Sequence, residues 1–371
     1  MNLRHLRAWA AALLCASTAL LFASTARAAD YLVYTGTYTS GTSRGIYGYR
    51  FDPRAVRLKP LGLLATVSNP TFVVAHPDNR FLYAVSQDAG GSVNAFLLSP
   101  KTGRLSLINK ASSKGDAPCH LALDRSGRWI AVANYGSGSV AVLPLRKDGG
   151  VGEALAFVEH HGASRVHCVL FSPDNRFLLA ADLGLNRIYV YRFDADTGAL
   201  TPADKPFIDA PAGVGVRHLA FHPNGRVLYA INETQPSVTG FFYNGEKGEL
   251  QEIQTVPIVP DSYTGPDAAG EIAINPAGTV VYASNRGHDS MAILVIDPVR
   301  FTLSTLEITP LTGRTPRHFA LDPTAAYMLV ANQDSGNLSL YSVHPHTGQL
   351  RPAGRPAPID KPSCVVIVPA Q

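Results

Sequence analysis

The sequence has few charged residues, few cysteines and no proline-free amphipathic run of a dozen residues. Without such a run, no segment of the chain is predicted to be a helix. Charged residues make up only 16% of the chain, whereas glycine and proline number 32 and 27. This composition is typical of many short strands joined by tight turns, and it predicts an all-β protein.

The first 28 residues have the features of a secretory signal. Arg4 and Arg7 form a positive start, an apolar stretch follows over 8–23, and an Ala-Arg-Ala sequence ends the segment. A membrane anchor is the alternative, but no stop-transfer pattern follows the apolar stretch. We therefore predict a signal peptide over 1–28 and a periplasmic or secreted protein over 29–371 that does not contact a membrane after cleavage.

The predicted exported chain is nearly neutral. The signal holds three arginines and no acidic residue, so 29 of the 32 Lys and Arg remain, against 28 Asp and Glu. Proteins that bind nucleic acids or membrane surfaces usually carry a basic patch. We therefore expect neither of these partners.

Three cysteines remain after the signal, at positions 119, 168 and 364. An odd number in an exported chain excludes a framework in which every cysteine is paired. We expect buried free thiols, because cysteine is among the most buried residue types. A Cys119–Cys168 disulfide is the alternative.

One pattern recurs along the chain: an apolar strand, a turn similar to HPDGR, a second apolar strand and a polar cluster. Successive copies are spaced by 46 to 54 residues. Six copies start at Asn69, Ala117, Arg165, Gly215, Ala269 and Thr315.

A seventh copy is divided between the two ends of the chain. KPSCVVIVP at the C-terminus is a first strand with no second strand after it, and YLVYTGTYT from Tyr31 is a second strand with no first strand before it. We predict a single seven-bladed β-propeller over 29–371, in which the N-terminal strands and the C-terminal strand close the last blade. A β-sandwich or a two-domain protein is the alternative, but neither explains the even spacing.

In a propeller the first strand of each blade lines the central channel, and the second strand ends near the start of the first. The expected first-strand positions at one mouth are Thr71, Cys119, His167, Arg217, Glu271, Arg317 and Ser363. The expected second-strand positions are Gln87, Tyr135, Leu183, Glu233, Arg286 and Gln333. Because side chains alternate along a strand, we expect His120, His218 and His318 to point away from the channel, between blades.

Two interpretations of these polar residues remain open. The charges could pair with one another and solvate a water-filled channel. Alternatively, the arginines could bind an anionic, oxygen-rich ligand, since a guanidinium group matches a carboxylate or phosphate. His160 and His161 lie in a loop that could reach the same mouth. No grouping of residues has metal-ligand spacing, so we expect neither a metal nor another cofactor.

Several motifs resemble those of the bacterial lactonase family of seven-bladed propellers, which includes 6-phosphogluconolactonases of the cycloisomerase type and the fungal carboxy-cis,cis-muconate cyclase. The motifs are GTYTSG, VANYGSGSV, DLGLNRIYVYRFD, RHLAFHPNGR, SNRGHDS and YMLVANQDSGNL. The resemblance covers roughly residues 31–369. It implies the same fold and a lactone as the substrate.

The resemblance also implies a catalytic set. The His, Arg, Glu and Arg of the muconate-cyclising relatives match His167, Arg217, Glu233 and Arg286. The family often has HxH where this chain has Arg165-Val166-His167, so an arginine replaces the first histidine. Further candidates for binding the substrate are Arg165, Glu271, Arg317, Gln333, Asn134 and His288.

The resemblance and the site residues together predict a lactone hydrolase that opens a sugar-derived or other acidic lactone. The arginines would bind the acid group and stabilise the oxyanion, and His167 or Glu233 would act as the general base on water. Because 6-phosphogluconolactone is a cytosolic metabolite and this chain has an export signal, we expect a non-phosphorylated substrate. The alternatives are a cyclase that forms a lactone from an unsaturated diacid, and a non-catalytic propeller that binds a ligand or partner.

Overall fold

The computed structural model describes residues 30–371, so the predicted signal peptide lies outside the described residues. Within this range all 28 regular elements are β-strands, and they form seven four-stranded antiparallel sheets. No helix capable of crossing a bilayer occurs between residues 30 and 371. The prediction of an all-β seven-bladed propeller is confirmed.

Each blade is one sheet of four strands, and six of the blades are continuous in sequence. Blade 1 contains β4 (Val73–Ala75), β5 (Phe81–Ser86), β6 (Ser92–Leu98) and β7 (Leu105–Ser112). Blade 2 contains β8 (Pro118–Leu123), β9 (Trp129–Asn134), β10 (Ser139–Pro144) and β11 (Ala156–Glu159). Blade 3 contains β12 (Val166–Phe171), β13 (Phe177–Asp182), β14 (Arg187–Phe193) and β15 (Leu200–Asp209).

The next three blades repeat this order. Blade 4 contains β16 (Val216–Phe221), β17 (Val227–Asn232), β18 (Ser237–Asn244) and β19 (Glu249–Pro257). Blade 5 contains β20 (Ala268–Ile274), β21 (Val280–Arg286), β22 (Ser290–Ile296) and β23 (Leu303–Pro310). Blade 6 contains β24 (Pro316–Leu321), β25 (Tyr327–Asn332), β26 (Asn337–Val343) and β27 (Leu350–Pro358).

Blade 7 is assembled from both ends of the chain, as predicted. Its strand order is β28 (Pro362–Pro369), β1 (Tyr31–Thr37), β2 (Gly45–Asp52) and β3 (Arg57–Thr66). Strand β28 pairs with β1 along its length, from Tyr31 opposite Pro369 to Thr37 opposite Pro362. The two ends of the chain therefore hold each other in one sheet, which closes the ring.

The turn between the first two strands of a blade requires a left-handed residue at its fourth position. Glycine and asparagine adopt this conformation most easily. The six turns within continuous blades have φ between 54° and 70° at this position, namely at Asn79, Gly127, Asn175, Gly225, Gly278 and Ala325. Five of the six positions carry glycine or asparagine, and Ala325 is the exception.

Hydrophobic clusters fill the spaces between neighbouring blades. One cluster joins blades 3 and 4 through Phe177, Leu179, Leu228 and Phe241, all essentially fully buried. Tyrosines on second strands add a polar link, because each buried hydroxyl donates to a backbone carbonyl of the next blade. These bonds run from Tyr34 to Gly103, Tyr83 to Gly149, Tyr229 to Phe301 and Tyr282 to Gly348, at 2.8–3.1 Å.

A β-bulge interrupts the start of the inner strand in six of the seven blades. In blade 4, Val216 lies opposite Asn232 but His218 lies opposite Ile231, so Arg217 is the extra residue. Equivalent bulges occur in blades 2, 3, 5, 6 and 7. A bulge adds one residue to one strand and turns its side chains. This feature decides which residues face the channel.

Candidate active site

A small cavity lies on the propeller axis at the mouth where the inner strands begin. Its enclosed space is about 10 Å³, which is roughly the size that holds one water molecule, so a larger ligand would have to lie in the open mouth above it. The walls are polar and come from six different blades. The lining residues are Thr71, Phe72, Gln87, Cys119, His167, Arg217, His218, Arg317, His318 and Ser363.

Two arginines share one carboxylate beside this cavity. Nε of Arg217 lies 2.7 Å from Oε2 of Glu233, and Nη2 of Arg286 lies 2.9 Å from the same oxygen. Nη1 of Arg217 also donates to the carbonyl of Gly270 at 2.6 Å, and Nη2 of Arg286 donates to the carbonyl of Ala269 at 2.6 Å. Both guanidinium groups are thus fixed by charged and backbone partners.

Arg317 lines the cavity without a carboxylate partner. Among residues 30–371 no acidic side chain lies within ion-pair distance of its guanidinium group, which sits 5.2 Å from the ring centre of Tyr38. Three arginines and one glutamate therefore meet at the mouth. The excess positive charge makes this region suited to an anion or to a developing oxyanion.

The prediction that His120, His218 and His318 point between blades is wrong. Their rings lie 4.2, 6.1 and 5.5 Å from the ring of Phe72, although the four residues belong to blades 2, 4, 6 and 1. Side chains from such distant blades can meet only on the axis. The bulges are the physical reason, because they break the simple alternation of sides along the strand.

The expected position of Glu271 is wrong for the same reason. Gly270 occupies the position equivalent to Arg217, and Glu271 occupies the position equivalent to His218, one layer deeper in the channel. There, Glu271 Oε2 lies 3.0 Å from Nδ1 of His218 and 3.1 Å from Nε2 of His318. Glu271 thus contacts two imidazoles and no arginine side chain in the described chain.

The channel histidines are neutral at ordinary pH. Burial, followed by the charge of Arg217, holds the pKa of His167 and His218 well below the usual value. Burial also lowers the pKa of His318 to about 4, although Glu271 acts in the opposite direction. A neutral imidazole can accept a proton, so His167 on the cavity wall is available as a base.

Glu233 and Cys119 are less suited to this chemistry. Burial tends to raise the pKa of Glu233, but Arg217 and Arg286 outweigh it and lower that pKa below its usual value. Burial raises the pKa of Cys119 to about 12, so its thiol is not a nucleophile at neutral pH. Arg286 has a pKa lowered to about 10 by burial and by Arg217, so it still carries its charge.

The three cysteines within residues 30–371 are buried free thiols, as expected. The predicted alternative, a disulfide between Cys119 and Cys168, does not form. Instead, Sγ of Cys119 lies 3.4 Å from the carbonyl of His167, and Sγ of Cys168 lies 3.6 Å from Nε2 of His120.

The remaining predicted site residues lie at different distances from this cluster. Arg165 is exposed and sits 5.8 Å from the ring of Tyr135, whose edge faces His167 at 5.6 Å. Gln333 is half-buried, and its Nε2 donates to Asp334 at 3.3 Å. Arg165 is therefore near the mouth, and Gln333 has no hydrogen bond to the cluster within the described range.

Asn134 and His288 have structural partners instead. The side chain of Asn134 is fully buried, and its amide donates to the carbonyl of Ser113 at 3.0 Å. Nδ1 of His288 lies 2.7 Å from Ser290 Oγ, and its ring contacts Tyr263 edge-on at 4.5 Å. Neither residue has a bond to the arginines or histidines of the channel in residues 30–371.

His160 does not reach the channel mouth. It follows β11 of blade 2 and is buried against blade 3, where its Nδ1 lies 2.8 Å from Asp182 Oδ2 and its Nε2 lies 2.5 Å from the hydroxyl of Tyr191. The ring also stacks on Tyr189 at 3.8 Å. Its neighbour His161 is exposed. These contacts assign His160 to the packing of blade 2 against blade 3.

Sequence reasoning missed His218, His318 and Phe72 as residues of the cavity wall. One signal was present, because three of the seven copies carry histidine directly after the first-strand position. The spaces between blades are filled by apolar side chains, where a recurring imidazole would lack partners. The repeated histidine was therefore an indication of a second polar layer.

Comparisons with known proteins agree with this architecture. The family described as "Lactonase, 7-bladed beta-propeller" matches residues 32–367. A 6-phosphogluconolactonase of Bacillus subtilis is 33% identical over 344 residues, covering 90% of this chain and 97% of the relative. A 6-phosphogluconolactonase of Cronobacter sakazakii is 32% identical over 338 residues, with the same coverage of 90% and 97%.

A solved structure is similar over nearly the whole fold. The periplasmic gluconolactonase of Pseudomonas aeruginosa superimposes with a TM-score of 0.88 and 32% sequence identity, covering 92% of this chain and 100% of that chain. The matching sequence, the seven blades and the divided closing blade lead to one conclusion: the chain belongs to the lactonase family of seven-bladed β-propellers.

Proposed function

We propose that this protein is a lactone hydrolase that opens a sugar-derived lactone, with a preference for one that carries an acid group. The observation that supports this most directly is the combination of three arginines, one glutamate and a neutral histidine at one small cavity. Family membership and the lactonase names of the relatives support the same reaction type.

In the proposed reaction, His167 is the general base. Nε2 of His167 takes a proton from water while the water oxygen attacks the lactone carbonyl carbon. Arg217 stabilises the negative charge that develops on the carbonyl oxygen, since its guanidinium group is fixed in place before the reaction. The ring C–O bond then breaks, and the proton on His167 moves to the departing oxygen to give the open hydroxy acid.

His167 is preferred to Glu233 as the base because of their surroundings. Oε2 of Glu233 is shared by two guanidinium groups, which stabilise its charged form and weaken it as a proton acceptor. Burial and Arg217 also lower the pKa of His167, but its ring lines the cavity and is not paired with a cation of the described chain, so it can reach a water molecule there. We assign Glu233 to holding Arg217 and Arg286 in place.

Arg317 is the proposed partner for the acid group of the substrate. It lines the cavity, and its charge is not used by a carboxylate of the described chain. A non-phosphorylated substrate and a periplasmic location are supported by the export signal in the sequence and by the name of the Pseudomonas aeruginosa structure. The described cavity needs no metal ion for the steps proposed here.

The test is pH-stat hydrolysis of lactones that differ in charge. The panel contains glucono-δ-lactone, a glucarolactone with a free carboxylate, 6-phosphogluconolactone and a muconolactone. We expect turnover above the spontaneous rate, and we expect Arg317→Gln to reduce kcat/KM for the acidic lactones by about 10- to 100-fold, because a charge-assisted hydrogen bond is lost.

Arg226→Gln is the matched control. Arg226 is an exposed arginine in the turn between β16 and β17, at the end of blade 4 opposite to this mouth. An equal loss for neutral and acidic lactones in Arg317→Gln would contradict the role of Arg317. The absence of turnover on the whole panel would favour the cyclase or the non-catalytic propeller.

A further inference from the structure

Three side chains from neighbouring blades form a row that ends at the cavity. Nδ1 of His218 lies 3.0 Å from both carboxylate oxygens of Glu271, and Nε2 of His218 lies 3.1 Å from Nδ1 of His167. All three side chains are buried, with residue exposures of 8% or less. The row runs from blade 5 through blade 4 to blade 3.

The partners of Glu271 identify it as a hydrogen-bond acceptor. The backbone N–H of Ile272 donates to Oε1 at 2.9 Å, while Nε2 of His318 lies 3.1 Å from Oε2. The other ring nitrogen of His318 accepts from the backbone N–H of Val365 at 3.4 Å, so a neutral His318 carries its proton on Nε2. Glu271 therefore receives donors on both oxygens.

The proton positions along the row then follow in order. Nδ1 of His218 must carry a proton to bond with the carboxylate, so Nε2 of a neutral His218 is an acceptor. That acceptor requires a proton on Nδ1 of His167. A neutral His167 is then left with a bare Nε2, and this nitrogen has no hydrogen-bond partner within residues 30–371.

We propose that Glu271 and His218 are positioning residues that hold His167 in the tautomer with an unprotonated Nε2, ready to accept a proton from water. The inference rests on the proposed function of His167 as the base. The arrangement also places the carboxylate of Glu271 one imidazole away from the positive charge that His167 acquires when it takes the proton. A carboxylate behind an imidazole orients it and stabilises its charged form in the same way in serine hydrolases.

The decisive variant is Glu271→Gln. Because the backbone N–H of Ile272 needs the amide oxygen at the Oε1 position, the amide NH₂ takes the Oε2 position, where it faces the protonated nitrogens of His218 and His318. The variant therefore removes the negative charge and weakens the acceptor that keeps the proton of His218 on Nδ1, so the tautomer in which His167 carries its proton on Nε2 becomes populated. We expect kcat to fall by about 10²- to 10⁴-fold with little change in KM.

His120→Gln is the matched control. His120 belongs to the same buried layer as His218, and its Nδ1 accepts from the backbone N–H of Val169, but it is not hydrogen-bonded to Glu271. This variant should keep kcat within a few-fold of the wild type. An equal loss in Glu271→Gln and His120→Gln would overturn the proposal.

A second measurement does not depend on turnover. Nitrogen-15 NMR of histidine-labelled wild-type protein, with His167→Gln used for assignment, distinguishes protonated from bare ring nitrogens. We expect a bare Nε2 on His167 in the wild type and partial protonation of this nitrogen in Glu271→Gln. A protonated Nε2 on His167 in the wild type overturns the proposal, and this result does not require Glu271→Gln to fold. A bare Nε2 without any lactonase activity refutes the proposed function but not the proposed tautomer.

Discussion

Two of the histidine–carboxylate pairs in residues 30–371 have similar geometry and different surroundings. At blade 3, His160 Nδ1 lies 2.8 Å from Asp182, and in the channel His218 Nδ1 lies 3.0 Å from Glu271. Both pairs are buried. The pairs differ in what the second ring nitrogen contacts.

In the blade 3 pair, every polar atom has a fixed protein partner. Nε2 of His160 lies 2.5 Å from the hydroxyl of Tyr191, and Oδ2 of Asp182 accepts from Ser164 Oγ at 2.5 Å. In the channel pair, Nε2 of His218 contacts His167, which lines the cavity. A closed network stabilises the fold, whereas a network that ends at a cavity can transfer a proton to a ligand.

The largest expected effect is a loss of kcat when the channel network, and not the blade 3 network, is changed. His167→Gln removes the proposed base, so we expect kcat for the best lactone of the panel to fall by about 10²- to 10⁴-fold. The free energy of unfolding should fall by about 1 kcal/mol, because the buried hydrogen bond of the ring to His218 is lost. Initial-rate kinetics and urea unfolding of the same preparation measure both quantities.

His160→Gln should give the opposite result. It breaks a closed buried network, so we expect the free energy of unfolding to fall by about 1–3 kcal/mol while kcat of the folded protein is unchanged. A large loss of kcat in folded His160→Gln, or full activity in His167→Gln, would contradict the assignment of the two networks.

Acid should destabilise the protein through the channel histidines. The pKa of histidine in the unfolded chain is about 6.5. In the folded protein, burial lowers the pKa of His318 to about 4. Glu271 opposes this shift, whereas His218, Arg217 and Arg317 add to it. Folding therefore favours the neutral form, and this stabilisation is present above pH 6.5 and is lost as the pH falls towards 4. The loss for this one group, once complete, is on the order of 3 kcal/mol.

Urea unfolding between pH 7.5 and 4.5 measures this loss. His318→Gln removes the titrating group, so its unfolding free energy should depend less on pH than that of the wild type. Identical pH slopes for both proteins would show that His318 does not titrate as expected.

The smallest expected effect comes from a position that belongs to neither network. Ala325 has a φ of 54°, where the other five equivalent turns carry glycine or asparagine. Ala325→Gly should stabilise the fold by up to about 1 kcal/mol, because a left-handed alanine is strained. Thermal unfolding measures the gain, and Ala326→Gly, at the next position, should give no such gain.

Most of the fold was predictable from the sequence because each blade repeats the same local signals. Two apolar strands flank a turn with a left-handed residue, and seven copies can bury their faces only against one another. The divided seventh copy also predicted the closure of the ring by β28 and β1. These features depend on patterns that are visible within about 20 residues.

The candidate site was only partly predictable because it depends on strand register at the axis. Arg217, Glu233 and Arg286 were placed together by the ends of adjacent strands, and they do meet. His218 and Glu271 were assigned to the wrong side or layer, because a one-residue bulge has no distinct residue type of its own. Alternation along a strand is a poor guide where the strand begins.

The closing strand β28 makes the cavity depend on the last residues of the chain. Ser363 lines the cavity, and the backbone N–H of Val365 fixes the proton of His318. The wall of the cavity is therefore complete only when β28 is paired with β1. Activity would then report the closure of the ring as well as the folding of the separate blades.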